Sequence, residues 1–279
     1  MKVDISIIIV NFNTGRLLYN CLRSISSNVT VDYQVIVADN NSTDGSLSFC
    51  SLFEQDSRYQ FIRLTENVGF ARANNIAAAE ASGTVLHFLN PDTEVREDIN
   101  DDYRSVLLSP DAAYVNPLLN RDGSVENRPK PVPTIRNLFY WYFKRNKCIM
   151  WYKGASVTIP TNLFYTAGCW SEDYFMYAED LDFFYTLYRL GIPVRPLSSV
   201  IYHYGGASSS VTWSKLEREV AVQRSTRIFY KKYFSKRQYT AVKIYFLFHY
   251  LLKNPSRVPL DIRAWRMSRE KKVCISAKK

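Results

Sequence analysis

The first ninety residues alternate short apolar runs with segments of helical period. Residues 5–10 read as a strand, and Leu17, Leu18, Cys21, Leu22 and Ile25 then recur at the spacing of one buried helix face. Residues 34–38 form a second apolar run that ends at Asp39, after which Ser42, Thr43 and Asp44 offer cap oxygens for another helix. Residues 60–64 read as a third strand. Residues 70–82 read as an Ala-rich helix stopped by Gly83, and residues 84–89 as a fourth strand. Strands alternating with helices predict βαβ units and a mostly parallel sheet. The four strands end in polar residues, at Asn11, Asp39, Thr65-Glu66-Asn67 and Asn90. In open α/β sheets ligands bind in the crevice outside the carboxyl ends of the strands, so these ends are expected to line a site.

Beyond Asp98 the pattern loosens. Residues 99–108 predict a helix ended by Pro110, and residues 121–124 a turn. Residues 128–134, with three prolines, predict an extended loop, and residues 135–147 an amphipathic or interfacial helix. A strand over 156–159, a short helix over 162–167 and a helix over 181–190 follow. Residues 200–204 read as a strand delivering His203, and 205–210 as a flexible Gly- and Ser-rich loop. Helices are expected over 213–233 and 238–252. The chain therefore divides into residues 1–213, with halves at 1–98 and 99–213, and a helical region from 214 to 279.

Charge sharpens that division. Residues 214–279 hold 18 Lys and Arg against 4 Asp and Glu, a net +14, while residues 1–213 hold 18 against 22, a net −4. A basic tail on a near-neutral body calls for an anionic partner: lipid headgroups, nucleic acid or a phosphorylated substrate. Its rings interleave with Lys and Arg, as in Phe229–Phe234, but no RNA- or DNA-binding motif accompanies them, so nucleic acid is not the expected partner. Cationic aromatic helices suit a membrane surface; the alternative is a helical lid packed on the body. No apolar stretch approaches the roughly 20 residues of a membrane-spanning helix, and no segment near the N-terminus reads as a signal peptide. Five scattered cysteines without CxxC spacing argue for reduced thiols and a cytoplasmic location.

The candidate chemistry sits where strands end. Asp39 can accept the N3–H of uracil or thymine, a proton that cytosine lacks; the alternative is a turn-capping aspartate. Phe12 can stack on a base or pack in the core. The segment from Asn67 through Gly69 opens a helix whose N-terminus can hold an anion. Arg72 there contacts a phosphate or is simply solvated. Asn90-Pro91-Asp92 follows a buried strand, which makes Asp92 a candidate ligand for a hard divalent cation bridging a diphosphate. His203 is a possible further metal contact. Glu179, Asp180 and Asp182 crowd a helix start behind the aromatic run Tyr174-Phe175-Met176-Tyr177. Some of these acids answer the helix dipole; a desolvated one makes a better general base near neutral pH. Neither GxGxxG nor GxxxxGK[ST] occurs.

Taken in order, residues 6–13, 35–46, 67–75, 88–95, 154–159, 174–183 and 199–209 resemble the family-2 inverting glycosyltransferases of the GT-A fold, and most nearly the rhamnosyltransferase-like branch of bacterial polysaccharide synthesis. The resemblance covers roughly residues 3–234. It implies an α/β fold with a GT-A type, mostly parallel sheet flanked by helices, whose Rossmann-like half binds the nucleotide, followed by the basic helical extension. It also implies a nucleotide-sugar donor and a divalent cation, Mg or Mn. Phe12, Asn13, Asp39, Asn67, Arg72 and Asn90 would face the nucleotide sugar. Asp92 and His203 would hold the metal. Asp180 would be the catalytic base, with Glu179 its neighbour. Asn90 stands where many members carry a carboxylate, and Gly168-Cys169-Trp170 departs from the common Gly-Gly-Phe. The implied reaction is inverting transfer of L-rhamnose from dTDP-L-rhamnose onto a polyprenyl-diphosphate-linked glycan, in O-antigen or capsule synthesis. It would take place at the inner face of the bacterial cell membrane. UDP-sugars (galactofuranose, galactose, glucose or GlcNAc) are the alternative donors. Outside this reading stand a nucleotidyltransferase, whose Gly-rich basic loop after the first strand is missing, and a catalytically silent sugar-nucleotide-binding scaffold.

Overall fold

The computed structural model describes residues 2–126, 128–143, 148–205 and 213–269. In its first half β1 (Ile5–Asn11), α1 (Arg16–Asn28), β2 (Tyr33–Asp39), β3 (Tyr59–Arg63), α2 (Phe70–Ala79) and β4 (Val85–Leu89) follow in order. All residues of β1 and β4 are buried, so the continuous apolar runs are strands covered on both faces. Short elements follow: β5 (Thr93–Val95), α3 (Asn100–Leu108), β6 (Ala113–Val115), β7 (Leu118–Leu119), β8 (Lys130–Pro131), α4 (Ile135–Tyr142) and β9 (Met150–Trp151). Then come β10 (Ser156–Pro160), α5 (Thr161–Thr166), α6 (Glu179–Leu190), β11 (Val194–Pro196) and β12 (Ile201–His203). Three helices end the described part: α7 (Lys215–Tyr233), α8 (Lys236–Lys253) and α9 (Val258–Met267).

The main sheet has seven strands in the order β11-β6-β10-β4-β1-β2-β3. β1 runs parallel to β2 and β4, and β2 parallel to β3. β10 enters antiparallel between β4 and β6. The sheet is thus mostly parallel, as the alternation predicts, with one reversed strand that the apolar pattern does not announce. Asn11 pairs in register with Asp39, and Asp39 with Arg63, so the polar strand ends share one edge. A second sheet, β5-β12-β7, carries His203 opposite Thr93.

Two expectations shift. The helix expected after Ser42-Thr43-Asp44 is replaced by two short 3-10 turns, Ser46–Cys50 and Phe53–Gln55. The would-be capping oxygens are engaged elsewhere: Ser42 Oγ accepts from the Asn13 amide at 3.0 Å, and Asp44 accepts from the Gly15 amide at 2.7 Å. The expected helix at 135–147 ends at Tyr142, with residues 144–147 outside the described part, as are 206–210 of the expected loop.

Of the terminal helices, α7 and α8 pack on the body, and α9 packs on them. Val132, Leu138, Tyr174 and Leu181 share an apolar cluster with Phe229, Tyr230 and Val242. Asp182 of α6 accepts from the Tyr174 hydroxyl at 2.7 Å and the Tyr233 hydroxyl at 3.1 Å, with Lys232 Nζ 3.1 Å away. A capping box at Ser214 and Glu217 starts α7, and another at Ser235 and Gln238 starts α8.

Candidate active site

The strand edge is knotted together before any ligand arrives. Asn11 is fully buried at the end of β1, and its side-chain nitrogen reaches Asp39 Oδ1 at 2.7 Å and Ser46 Oγ at 2.9 Å. The other Asp39 oxygen accepts from the Ser42 amide at 3.1 Å. Asn13 takes a positive φ of 51° and its Oδ1 accepts from the Thr43 amide at 2.8 Å, tying the loops after β1 and β2. One strand further, Asn40 donates to Asn67 Oδ1 at 2.9 Å, and the same oxygen accepts from the Gly69 amide at 3.0 Å.

Gly69 sets how closely the far wall approaches. Its φ is +88°, and a Cβ there would lie 2.5 Å from the Phe175 carbonyl oxygen. The same carbonyl accepts from the Phe70 amide at 3.1 Å. The segment leading into α6 is thereby held against the start of α2. Tyr177 and Ala178 adopt positive φ of 68° and 64°, backbone strain of the kind that clusters at functional sites.

That strained turn delivers Glu179 and Asp180. Glu179 is 8% exposed, and its Oε2 has no hydrogen-bond partner among the described residues. Burial, helped by the neighbouring Asp180 charge, pushes its carboxyl well above the ordinary range, to about 8. Asp180 is likewise raised by burial, to about 6; backbone amides at Leu181 and Gly154 and the Lys130 charge restrain the rise. The Leu181 amide donates to Asp180 Oδ1 at 2.8 Å. The two acids form one interacting pair, poised near neutrality.

A third corner gathers Asn90, Asp92 and His203. Asp92 and His203 are both buried, with Nε2 of the histidine 3.3 Å from Asp92 Oδ1. His203 Nδ1 is hydrogen-bonded to Glu126, which also pairs with Lys153. Burial alone would lower the imidazole pKa; the two carboxylates outweigh it and raise it to about 9. The same bonds hold Glu126 down at about 2 against its own burial. Asn90 Oδ1 is buried without a hydrogen-bond partner among the described residues.

These groups meet in one cavity of about 750 Å³. Of the residues singled out in the sequence, Phe12, Asn67, Asn90, Asp92, Glu179, Asp180 and His203 line it. Asn13 and Asp39 are not among the residues lining it; their hydrogen bonds tie together the loops after β1 and β2 beside it. Arg72 stands away from the cavity, with Glu172 3.8 Å away and both side chains at least half exposed. Asp182 is a structural tie between α6 and α7 rather than a cavity group. Sequence reasoning missed Glu126, whose charge acts on His203, Lys153, which pairs with Glu126, and Lys130, whose charge acts on Asp180, and it missed that α7, α8 and α9 supply one wall. Glu126 lies 77 residues from His203 in an unpatterned loop, and no local signal marks it.

Solved structures define the class of fold. S. aureus TarS 1-349 in complex with UDP-GlcNAc matches with a TM-score of 0.60, covering 94% of this chain and 79% of that one at 16% identity. GalNAc-T7 with UDP, GalNAc and Mn2+ matches at 0.57, over 72% of this chain and 43% of that one, also at 16% identity. The fold is that of the GT-A glycosyltransferases. The model of glycosyl transferase family 2 matches residues 6–165, more than half of the chain, and the chain belongs to that family. The uncharacterized glycosyltransferase YfnE of Bacillus subtilis is 38% identical over 95 residues, 34% of this chain and 24% of that protein. The low-salt glycan biosynthesis hexosyltransferase Agl10 of Haloferax volcanii is 28% identical over 215 residues, 70% of this chain and 64% of that protein. The chain therefore spans less than two thirds of the length of either relative.

Proposed function

We propose that this protein transfers a sugar from a uracil or thymine nucleoside diphosphate to a hydroxyl of a lipid-linked glycan during cell-surface polysaccharide synthesis. The observation that carries the reading is the meeting, in one cavity, of two carboxyls raised by burial with the corner formed by Asn90, Asp92 and His203. Phe12 stacks on the base. Asp39, whose carboxylate keeps acceptor capacity beyond its two bonds, takes the base N3–H. Asn13 and Asn67 hold the loops that frame the nucleotide, and Arg72 is the least supported of the donor-side residues because it faces away.

Asp180 takes the proton from the acceptor hydroxyl as the oxygen attacks the anomeric carbon, and the nucleoside diphosphate leaves from the opposite face. Configuration inverts. Glu179, kept protonated near neutrality, spares Asp180 a second negative charge beside it.

The fold family implies a divalent cation, Mg or Mn, and the residues suit one. An orphaned amide oxygen, a carboxylate and an imidazole stand together, and Glu126 fixes the outer nitrogen of the imidazole as such ligands require. Asp92 and His203 would hold it, with Asn90 beside them; bound, it supplies positive charge for the departing diphosphate. Among the described residues no group of three or more His, Cys, Asp or Glu side chains is placed to hold a metal ion by itself.

The donor sugar we favour is L-rhamnose carried on dTDP. The second reading, a UDP-sugar, gains support from TarS, crystallised with UDP-GlcNAc. Calorimetry with UDP, dTDP, CDP and GDP, each with and without Mn2+, tests both. Metal-dependent binding confined to UDP or dTDP is expected. Equal binding of CDP overturns the assignment of Asp39, and binding of none overturns the donor site as a whole.

Membrane docking completes the reading. No described helix is long and apolar enough to cross a membrane. However, α4 exposes Phe139, Trp141 and Tyr142, with Phe143 just beyond its end, and α8 exposes Phe248, Leu251 and Leu252. Such a surface with basic residues around it suits peripheral contact with anionic lipid at the inner membrane face. Deleting α8 would also remove Val242 from the core, so Phe248→Glu with Leu252→Glu is the cleaner probe. Loss of co-sedimentation with phosphatidylglycerol vesicles is expected; unchanged co-sedimentation refutes docking through this face.

A further inference from the structure

The cavity is larger than its donor side. The strand edge supplies one wall, and the opposite wall comes from the three terminal helices, through Glu219 and Gln223 of α7, Lys243 and Tyr245 of α8 and Asp261 of α9. Each helix contributes to one polar cluster. Gln223 donates to Asp261 Oδ1 at 2.7 Å and to Glu219 Oε1 at 3.2 Å, and accepts from Lys243 Nζ at 2.7 Å. Lys243 lies 3.5 Å from Asp261, and Arg257 lies 3.3 Å from Glu219. Gln223 and Asp261 are almost wholly buried, at 5% and 6% exposed.

Helices that needed only to pack together would meet more stably through apolar residues, since burying polar groups gains little over a hydrophobic contact of the same shape. Here the polar residues line the cavity, and aromatic residues accompany them. Tyr245 and His249 stack with centroids 6.2 Å apart, and Arg257 lies 4.7 Å over the Tyr250 ring. Across the same cavity stands Glu179, nine-tenths buried, with one carboxyl oxygen that has no hydrogen-bond partner among the described residues.

The charge content decides the ligand class. Glu219 and Asp261 balance Lys243 and Arg257, so the cluster carries no net charge. A diphosphate seated there would face two carboxylates. Amide, carboxylate and ammonium groups beside flat aromatic faces instead match the alternating hydroxyl and C–H surfaces of an uncharged sugar ring.

We propose that α7, α8 and α9 form the acceptor site, binding a neutral saccharide unit between the Tyr245 ring and the cluster of Gln223, Lys243 and Asp261, with the reacting hydroxyl directed to Asp180. This inference rests on the glycosyltransferase reading above. It makes the basic terminal helices a specificity element for the acceptor as well as a membrane-facing surface.

Saturation-transfer NMR on the full chain, with UDP and Mn2+ present, tests it. The probes are octyl glycosides of glucose, galactose, GlcNAc, mannose and rhamnose, kept below their micellar concentrations. At least one is expected to receive saturation on its ring protons. Tyr245→Ala and, separately, Gln223→Leu are expected to reduce that signal at least fivefold, while UDP affinity measured by calorimetry stays within twofold of the parent. Tyr245 is 39% exposed, so its replacement keeps the test valid if the buried Gln223 variant does not fold. Saturation confined to the alkyl protons, or ring signals that Tyr245→Ala leaves intact, overturns the inference. Failure of the parent chain to bind UDP would instead strike the proposed function, because the nucleotide side involves none of these helices.

Discussion

Asn11 and Glu179 are both buried polar side chains of one active-site region, yet their surroundings differ in kind. Asn11 is fully enclosed by partners: Asp39, Ser42 and Ser46 accept from it, and Thr14 donates to it. Glu179 keeps an oxygen with no hydrogen-bond partner among the described residues, and next to it Asp180 is raised by the same burial. The strand edge is a finished structure that a nucleotide can dock against. The α6 wall is held in an electrostatically unfavourable state by the packing around it. Buried ionisable groups are usually paired, and groups left perturbed in a cleft are candidates for chemistry. The comparison therefore assigns structure and nucleotide placement to one wall and proton transfer to the other.

The sharpest way to break that assignment is Asp180→Asn. A general base contributes about 10²–10⁴ in rate, so transfer is expected to fall by about that factor while UDP binding persists. In the parent, rate should rise with pH through an apparent midpoint near 6, above the ordinary carboxylate range, because only the ionised acid can take the proton. The linked effect on stability has the opposite sign. A carboxyl whose pKa is raised on folding favours the fold most below its unfolded value, and that contribution is lost as pH rises through the folded value. Asp180→Asn removes part of this loss, so at pH 8 the variant should melt no lower than the parent. A variant that keeps parental transfer removes Asp180 from the role of base, and one that melts well below the parent at pH 8 contradicts the strain assigned to its buried carboxylate.

Much of the strand-edge wall was legible in the sequence, because it is built from local pattern. β1 and β4 are mostly apolar, broken only by Ser6 and His87 before the polar residue at the end, and with parallel pairing the shared edge follows. The short strands β5, β6, β7, β9 and β11 escaped. Two or three residues carry no period, and only their partners make them strands. The antiparallel entry of β10 escaped for a related reason: apolar content does not encode direction. Asp180 and Asp182 looked alike as acids at a helix start. Their roles separate only when Tyr174, Lys232 and Tyr233 close around Asp182 from elsewhere in the chain. The cavity wall from α7, α8 and α9 is equally non-local, which is why the basic tail read as a membrane surface or a packed lid, with none of its residues marked for the site.

On the strand edge, Asn11→Ala should cost stability before it costs chemistry. It strips the buried Asp39 carboxylate of its 2.7 Å donor and leaves Thr14 without its acceptor. Removing a partner from a buried charged group costs about 2–3 kcal/mol. Denaturant unfolding should show that loss, and donor affinity should weaken with it as the loops after β1 and β2 come apart. A variant of unchanged stability would mean that the edge is not self-supporting, and the contrast with Glu179 would lose its first half.

The smallest expected effect probes where the two walls meet. Asn90 Oδ1 is buried at the end of β4 without a hydrogen-bond partner among the described residues, and it lines the cavity with Asp92 and His203. Asn90→Asp keeps the shape and adds one negative charge. Ligand charge sets the affinity of oxygen sites for hard cations, so Mn2+ should be required at lower concentration for UDP binding. The expected gain is about tenfold, or ~1.4 kcal/mol. Without Mn2+ the added charge lies near a diphosphate, and UDP should bind more weakly than to the parent. The two titrations thus move in opposite directions if Asn90 adjoins the cation. Weakening in both would place this oxygen against the nucleotide itself, and no change in either would leave its burial unexplained by the donor.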